Sequence, residues 1–195
     1  MIRSGWKMSM KNLKLKSKYG FTLIELLVVI SVIGLLASVI LVSLNSARAK
    51  ARDAKRLTDM RQMVTALGLY YDKYNLYPSL NGELNGGNCG GWDTSQKDED
   101  TDGKQFIESL VDDGFVSKTP SDPLDIAGGA GCGGYDYYLY PAGYEGCDSA
   151  KGDFFVLGVR NMEGVSVPHP ASPGWSCPTR DWQVEFDWVT GGFTR

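Results

Sequence analysis

The chain of 195 residues carries a net charge of -3, is 43% hydrophobic and contains 24 glycines, a size that leaves room for one globular domain beside one apolar segment. Its charge is unevenly placed: residues 1–20 hold six cations and no acid, residues 44–61 six cations and two acids, and residues 62–195 eight cations against 20 acids. A C-terminal region at net -12 is a poor candidate for phosphate-backbone binding, which needs clustered Lys and Arg, and is better suited to solubility and cations.

After the basic leader, residues 21–44 form a run of 24 without Lys, Arg, Asp, Asn, Gln or His, and its single charge is Glu25. As a helix the run is about 36 Å long, enough for a hydrocarbon core of about 30 Å. Leu, Val, Ile, Ala and a lone Gly34, with no Pro, fit a spanning helix. A secretory signal peptide would have an apolar core of about 7–15 residues. The A-x-A match at Ala47-Arg48-Ala49 lies past the run, among charges. An uncleaved signal anchor is the stronger alternative. Six cations precede the helix and six follow it, so flanking charge does not orient it.

Residues 18–30, Lys-Tyr-Gly-Phe-Thr-Leu-Ile-Glu-Leu-Leu-Val-Val-Ile, closely resemble the prepilin processing motif of type IV pilins and type II secretion pseudopilins. The match covers a basic leader, Gly20, Phe21, Glu25 and the apolar helix after them. The resemblance implies cleavage between Gly20 and Phe21 by a membrane aspartic prepilin peptidase, with N-methylation of Phe21. It departs from many pilins at Val42, near which they carry a proline.

The chemistry of Glu25 fits that reading. An acid near the centre of a membrane helix costs roughly 2.5–3.5 kcal/mol, less toward the interface, and normally has a partner. Cleavage before Phe21 creates an α-amino group one helical turn away, on the same chain or a neighbour. Pairing with a neighbour's amine would fix the axial stagger of packed helices. A glutamate snorkelling to the interface is the plainer reading.

Beyond residue 44 the pattern turns amphipathic. Ala47, Ala51, Ala54, Leu57, Met60, Val64, Leu67 and Tyr71 make one stripe, with Arg48, Lys50, Arg52, Lys55, Arg56 and Arg61 mostly off it. The helix is expected to run from about Phe21 to Tyr74, where Pro78 and its approach stop it. That makes a rod of roughly 80 Å. The basic collar suits either anionic lipid headgroups or plain solvation. The aromatic cluster ahead of Tyr77-Pro78, and the later Phe115-Val116-Ser117-Lys118-Thr119-Pro120-Ser121-Asp122-Pro123 with its hydrophobic pair, Pro and Asp-Pro, also resemble major pseudopilins.

In the head, residues 81–91 read as a loop and residues 105–113 as a short amphipathic helix ended by Gly114. Three strands are expected: Tyr135–Tyr140, Phe154–Val159 and residues 181–189, where Trp182, Val184, Phe186 and Trp188 alternate onto one face. The expected fold class is α+β, a long helix packed on a small antiparallel sheet with Gly-rich loops. Its parts are a cleaved leader (1–20), a transmembrane half-helix (21–44), an amphipathic half-helix (45–75) and a globular head (76–195).

Cys89, Cys132, Cys147 and Cys177 form no C-x-x-C pair, and the chain has one His, so a zinc site is disfavoured. Beyond a membrane segment, an even count reads as two disulfides in an oxidising compartment, which favours an external head. Three pairings are open. Cys132 with Cys147 closes a short loop and would leave Cys89 with Cys177; four buried thiols are the alternative. Asp98, Asp100 and Asp102, followed by Gly103, open like a calcium loop, but Ser109 stands where an EF-hand needs Glu. A non-EF calcium loop and a solvated acidic loop both remain. Calcium is the one cofactor considered; major pseudopilins as a family bind it nearer the C-terminus. His169, between Pro168 and Pro170, has no catalytic motif around it, and no catalytic set emerges.

The resemblance implies a non-enzymatic filament subunit, a major pseudopilin of type II secretion foremost and a type IV pilus or competence pilin as the runner-up. Its partners would be copies of itself, minor pilin-like subunits, prepilin peptidase, an inner-membrane assembly platform and lipid, without nucleic acid. The head would face the periplasm. A signal-anchored ectodomain that binds calcium or another ligand without polymerising is the alternative of another class.

Overall fold

A computed structural model describes residues 20–80, 91–95, 106–124, 134–164 and 167–195. The chain divides into two compact units, Met1–Ser43 and Leu44–Arg195. In the first, residues 20–43 are exposed throughout, and the helix they enter is long and apolar enough to cross a membrane. That helix, α1, is Leu23–Tyr74 and remains helical at Val42. Its end lies where Pro78 predicts. Asn75 takes the left-handed conformation (φ 57°) and donates its N–H to the Tyr71 carbonyl at 2.7 Å, closing the last turn.

The second unit is built on a four-stranded antiparallel sheet of β1 (Asp93–Thr94), β2 (Tyr135–Tyr140), β3 (Phe154–Val159) and β6 (Trp188–Phe193), in that order. A two-stranded ribbon joins β4 (Ser176–Cys177) to β5 (Arg180–Asp181). The period-2 pleat sends alternate side chains to two cores. Tyr135, Tyr137, Phe155, Leu157 and Val159 pack with Met60, Met63 and Leu67 of α1. Tyr140, Phe154, Val156 and Val189 face the other way, among Trp92, Trp182 and Phe186. Strand β3 is buried on both faces, which is why its sequence is a continuous apolar run rather than an alternation. Gly158 makes the outer core possible, because a Cβ there would lie 2.3 Å from the Phe186 ring.

Three sequence expectations need correction. The helix expected over residues 105–113 is a single turn, α2 (Glu108–Asp112); Ile107 at φ 46° precedes it, Phe106, Ile107 and Leu110 are buried, and Val111 is half-buried. Residues 181–189 are not one strand. Asp181 caps a 3₁₀ turn, Trp182–Val184, by accepting from the Gln183 N–H at 3.0 Å. The turn buries Trp182 and Phe186 together and leaves Val184 78% exposed, and the strand begins only at Trp188. The helix stripe is also rotated: Val64, Ala47, Ala51 and Ala54 are exposed, whereas Asp53, Arg56 and Asp59 are buried.

Candidate functional site

The segment expected to be processed is open on every side. A Cβ added at Gly20 would meet nothing within 4 Å, and Phe21 is 81% exposed. Helix α1 begins two residues later through a reciprocal cap. The Thr22 N–H and hydroxyl both donate to Glu25 Oε2, at 2.8 and 2.7 Å, and the Glu25 N–H donates back to Thr22 Oγ1 at 3.2 Å. This is a capping box, Thr at N-cap and Glu at N3, and it satisfies two of the N–H groups a helix start leaves bare. The pattern Thr-x-x-Glu ahead of an apolar run carries that signal in the sequence, where the charge of Glu25 overshadows it. Further along, Ser31 and Ser38 donate their hydroxyls to the Val28 and Leu35 carbonyls, so neither leaves a bare donor on the apolar surface.

A second polar constellation lies at the base of the head. Arg56, 1% exposed, donates Nε to Asp122 Oδ2 at 2.6 Å and Nη2 to Asp122 Oδ1 at 3.0 Å. Its Nη1 reaches Asp53 at 2.7 Å and Glu163 at 3.0 Å. Arg52 also pairs with Glu163. The Asp53 carboxylate in turn accepts the backbone N–H groups of Glu163 and Gly164. One guanidinium on α1 therefore ties down the turn at Asp122 and the loop after β3. Burial works against the Arg56 cation, but Asp122, Glu163 and Asp53 outweigh it and hold its pKa above the ordinary value. Hydrogen bonding to Arg52, helped by Arg56, holds Glu163 at about 2. Lys55 and the Tyr135 hydroxyl both meet Asp59 Oδ2, at 2.6 and 2.7 Å. The clue is helical spacing: Arg56, Met60, Met63 and Leu67 share one face.

On the outer core, Asp136 is fully buried with Oδ2 accepting from Arg160 Nε at 2.8 Å and Oδ1 without a partner among the described residues. Burial pushes its pKa up to about 7 against the pull of Arg160.

The cysteine expectation is overturned in its pairing. Cys147 is bonded to Cys177, not to Cys132, and Cys177 is therefore not the partner of Cys89. Spacing along the chain favours the shorter loop, but the β4–β5 ribbon brings Cys177 back beside residues 144–147. Cys89 and Cys132 lie outside the described residues, as do Asp98, Asp100 and Asp102. Among the described residues no group of three or more His, Cys, Asp or Glu could hold a metal. His169 serves its loop: its N–H donates to the Asp187 carbonyl at 2.6 Å and its Nδ1 accepts from the Ala171 N–H at 2.9 Å.

Residues 15–41 match the family model described as the prokaryotic N-terminal methylation motif. The chain is 30% identical over 159 residues to type II secretion system core protein G of Pectobacterium carotovorum subsp. carotovorum, covering 75% of this chain and 79% of the relative. The protein of the same name from Vibrio cholerae is 28% identical over 152 residues, 77% of this chain and 87% of that one. The Escherichia coli protein is 28% identical over 140 residues, 65% and 74% respectively. No solved structure matches significantly.

Proposed function

The chain belongs to the family of type II secretion system core protein G, and from that premise we propose how it works as a pseudopilin. Residues 1–20 are a leader removed after Gly20 by prepilin peptidase, which also methylates the new amine of Phe21. Residues 21–44 hold the subunit in the inner membrane until an assembly platform draws it into a filament with its copies and with minor pilin-like subunits. The work is mechanical: the growing filament pushes secreted proteins outward. The head, residues 76–195, stands in the periplasm, a side supported by the Cys147–Cys177 disulfide, which needs an oxidising compartment.

The observation that carries the reading is Glu25. Its carboxylate sits at the first turn of an apolar helix and already accepts two bonds from Thr22. Both bonds fall on Oε2, and Oε1 has no partner among the described residues, which leaves it for the amine of a neighbouring subunit. A calcium ion at Asp98, Asp100 and Asp102 is a secondary element of the proposal. The test is mass spectrometry of the mature N-terminus combined with Glu25→Ala. A methylated Phe21, with Glu25→Ala processed and membrane-inserted but unassembled, is the expected result. An intact Met1 ends the pseudopilin mechanism, and normal assembly of Glu25→Ala ends the role of the carboxylate.

A further inference from the structure

One strip of α1 within the head is left uncovered. Thr58, Arg61, Thr65 and Leu69 border a groove of about 520 Å³ whose far wall is residues 115–118. On the other flank of the same strip, Arg61, Val64 and Thr65 border a hollow of about 370 Å³ toward Pro173 and Trp188. Val64 is 39% and Leu69 50% exposed, apolar surface in the middle of the main helix of the head.

The free charges of the groove have one sign. Arg61 and Lys118 are exposed and make no ion pair among the described residues. Arg52, Lys55, Arg56, Lys73, Arg160 and Arg180 are all paired within the chain. The opposite sign collects at the far end of α1. Asp72, in its last turns, and Asp112, in α2, are exposed and unpaired among the described residues. Asp113 next to Asp112 accepts from the Tyr74 hydroxyl at 2.6 Å, which holds the end of α2 against the end of α1.

Arg61 and Asp72 are about 16 Å apart along the helix axis. Two complementary patches offset along one axis do not meet within a chain. A copy shifted by that distance along the axis would bring one patch opposite the other, a heterologous contact that does not close and so propagates as a helical filament. Residues 62–195 carry 20 acids against eight cations, so copies repel unless the seam holds cations not already neutralised. We propose that the groove between Arg61 and Lys118 receives the Asp72–Asp112 end of a second copy of this chain, with Leu69, Phe115 and Val116 as its apolar floor. The contact rests on the filament reading above and adds the head surface that sets register.

The experiment uses the full chain in its host and reads the yield of sheared filaments. Arg61→Glu with Lys118→Glu lowers it by about tenfold or more, and Asp72→Lys with Asp112→Lys does the same. All four changes together restore it to within about threefold of the parent. Membrane level and the mature Phe21 terminus stay at the parent value in every variant. Parental assembly of the Arg61/Lys118 variant overturns the contact. So does failure of the four-fold variant to recover, which assigns the groove to another protein or to lipid. If a double variant does not fold, Arg61→Ala alone gives the same readout from an exposed position. A parent chain that keeps its leader and makes no filament refutes the filament reading, and the contact falls with it.

Discussion

Replacing Arg56 by Met removes the cation around which the base of the head is organised while keeping an unbranched stem as far as the position of Nε. Four hydrogen bonds to three carboxylates disappear, at 2.6 to 3.0 Å. The side chains of Arg56, Asp53 and Asp122 are 1%, 7% and 7% exposed, so water does not replace the lost partner. Among the described residues Asp122 keeps only the Leu124 N–H, and Asp53 keeps the N–H groups of Glu163 and Gly164. Removing one member of such a buried pair costs about 3–5 kcal/mol, because the charges left behind stay buried. For a chain of this size, at about 2–4 °C per kcal/mol, the melting temperature falls by roughly 6–20 °C. The control is Lys55→Met. Its ammonium group is on a side chain 50% exposed, and its pair with Asp59 is worth about 0–1 kcal/mol. Near-UV circular dichroism of the full chain in detergent measures both melts at neutral pH. A loss at Arg56 no larger than that at Lys55 would refute the reasoning.

Asp136 and Glu163 give opposite dependences on pH in separate windows. The folded pKa of Asp136 is raised, from 3.8 to about 7, so its contribution is full below the ordinary value and is lost as pH rises through 7. Glu163 is depressed from 4.5 to about 2, so its contribution holds above 4.5 and is lost only as pH falls toward 2. Asp136→Asn is therefore expected to flatten the decline of stability between about pH 4 and about pH 7; a denaturant melt series with unchanged slope counts against it. Cys147→Ser with Cys177→Ser opens a loop closed over a separation of 30 residues, which the chain-entropy relation values at about 3.5 kcal/mol. Urea unfolding of the double variant reads that loss directly, and a change below about 1 kcal/mol would show that the β4–β5 layer does not depend on the bond.

The parts of this molecule legible in the sequence are those governed by local periodicity. The apolar run, the stop before Pro78, strands β2 and β3 and the end of α2 at Gly114 follow from hydrophobic spacing and turn chemistry. The parts that are not legible depend on contacts between distant residues. Asp122 and Glu163 lie 66 and 107 positions from Arg56, so no window of sequence shows that a charge belongs on the buried face. Trp182, Phe186 and Trp188 fit period 2 on paper, but Asp181 caps a turn there and the second core sits where a helical step delivers the first two rings together. The start of α1 is legible because its residues act locally, and even so the role of Thr22 emerges only from the geometry of the helix start.

The capping box has a consequence for the proposed cut. Among the described residues, every bond that opens α1 comes from Thr22 onward, including the Leu26 N–H to the Thr22 carbonyl at 3.3 Å. A scission after Gly20 takes none of these away, so the helix start is self-sufficient and the leader can be lost without unwinding the first turn. The amine that the proposed scission would expose lies at the positive pole of the helix, where a cation is ordinarily disfavoured. The Glu25 carboxylate, already folded back over that pole, is the counter-charge in waiting.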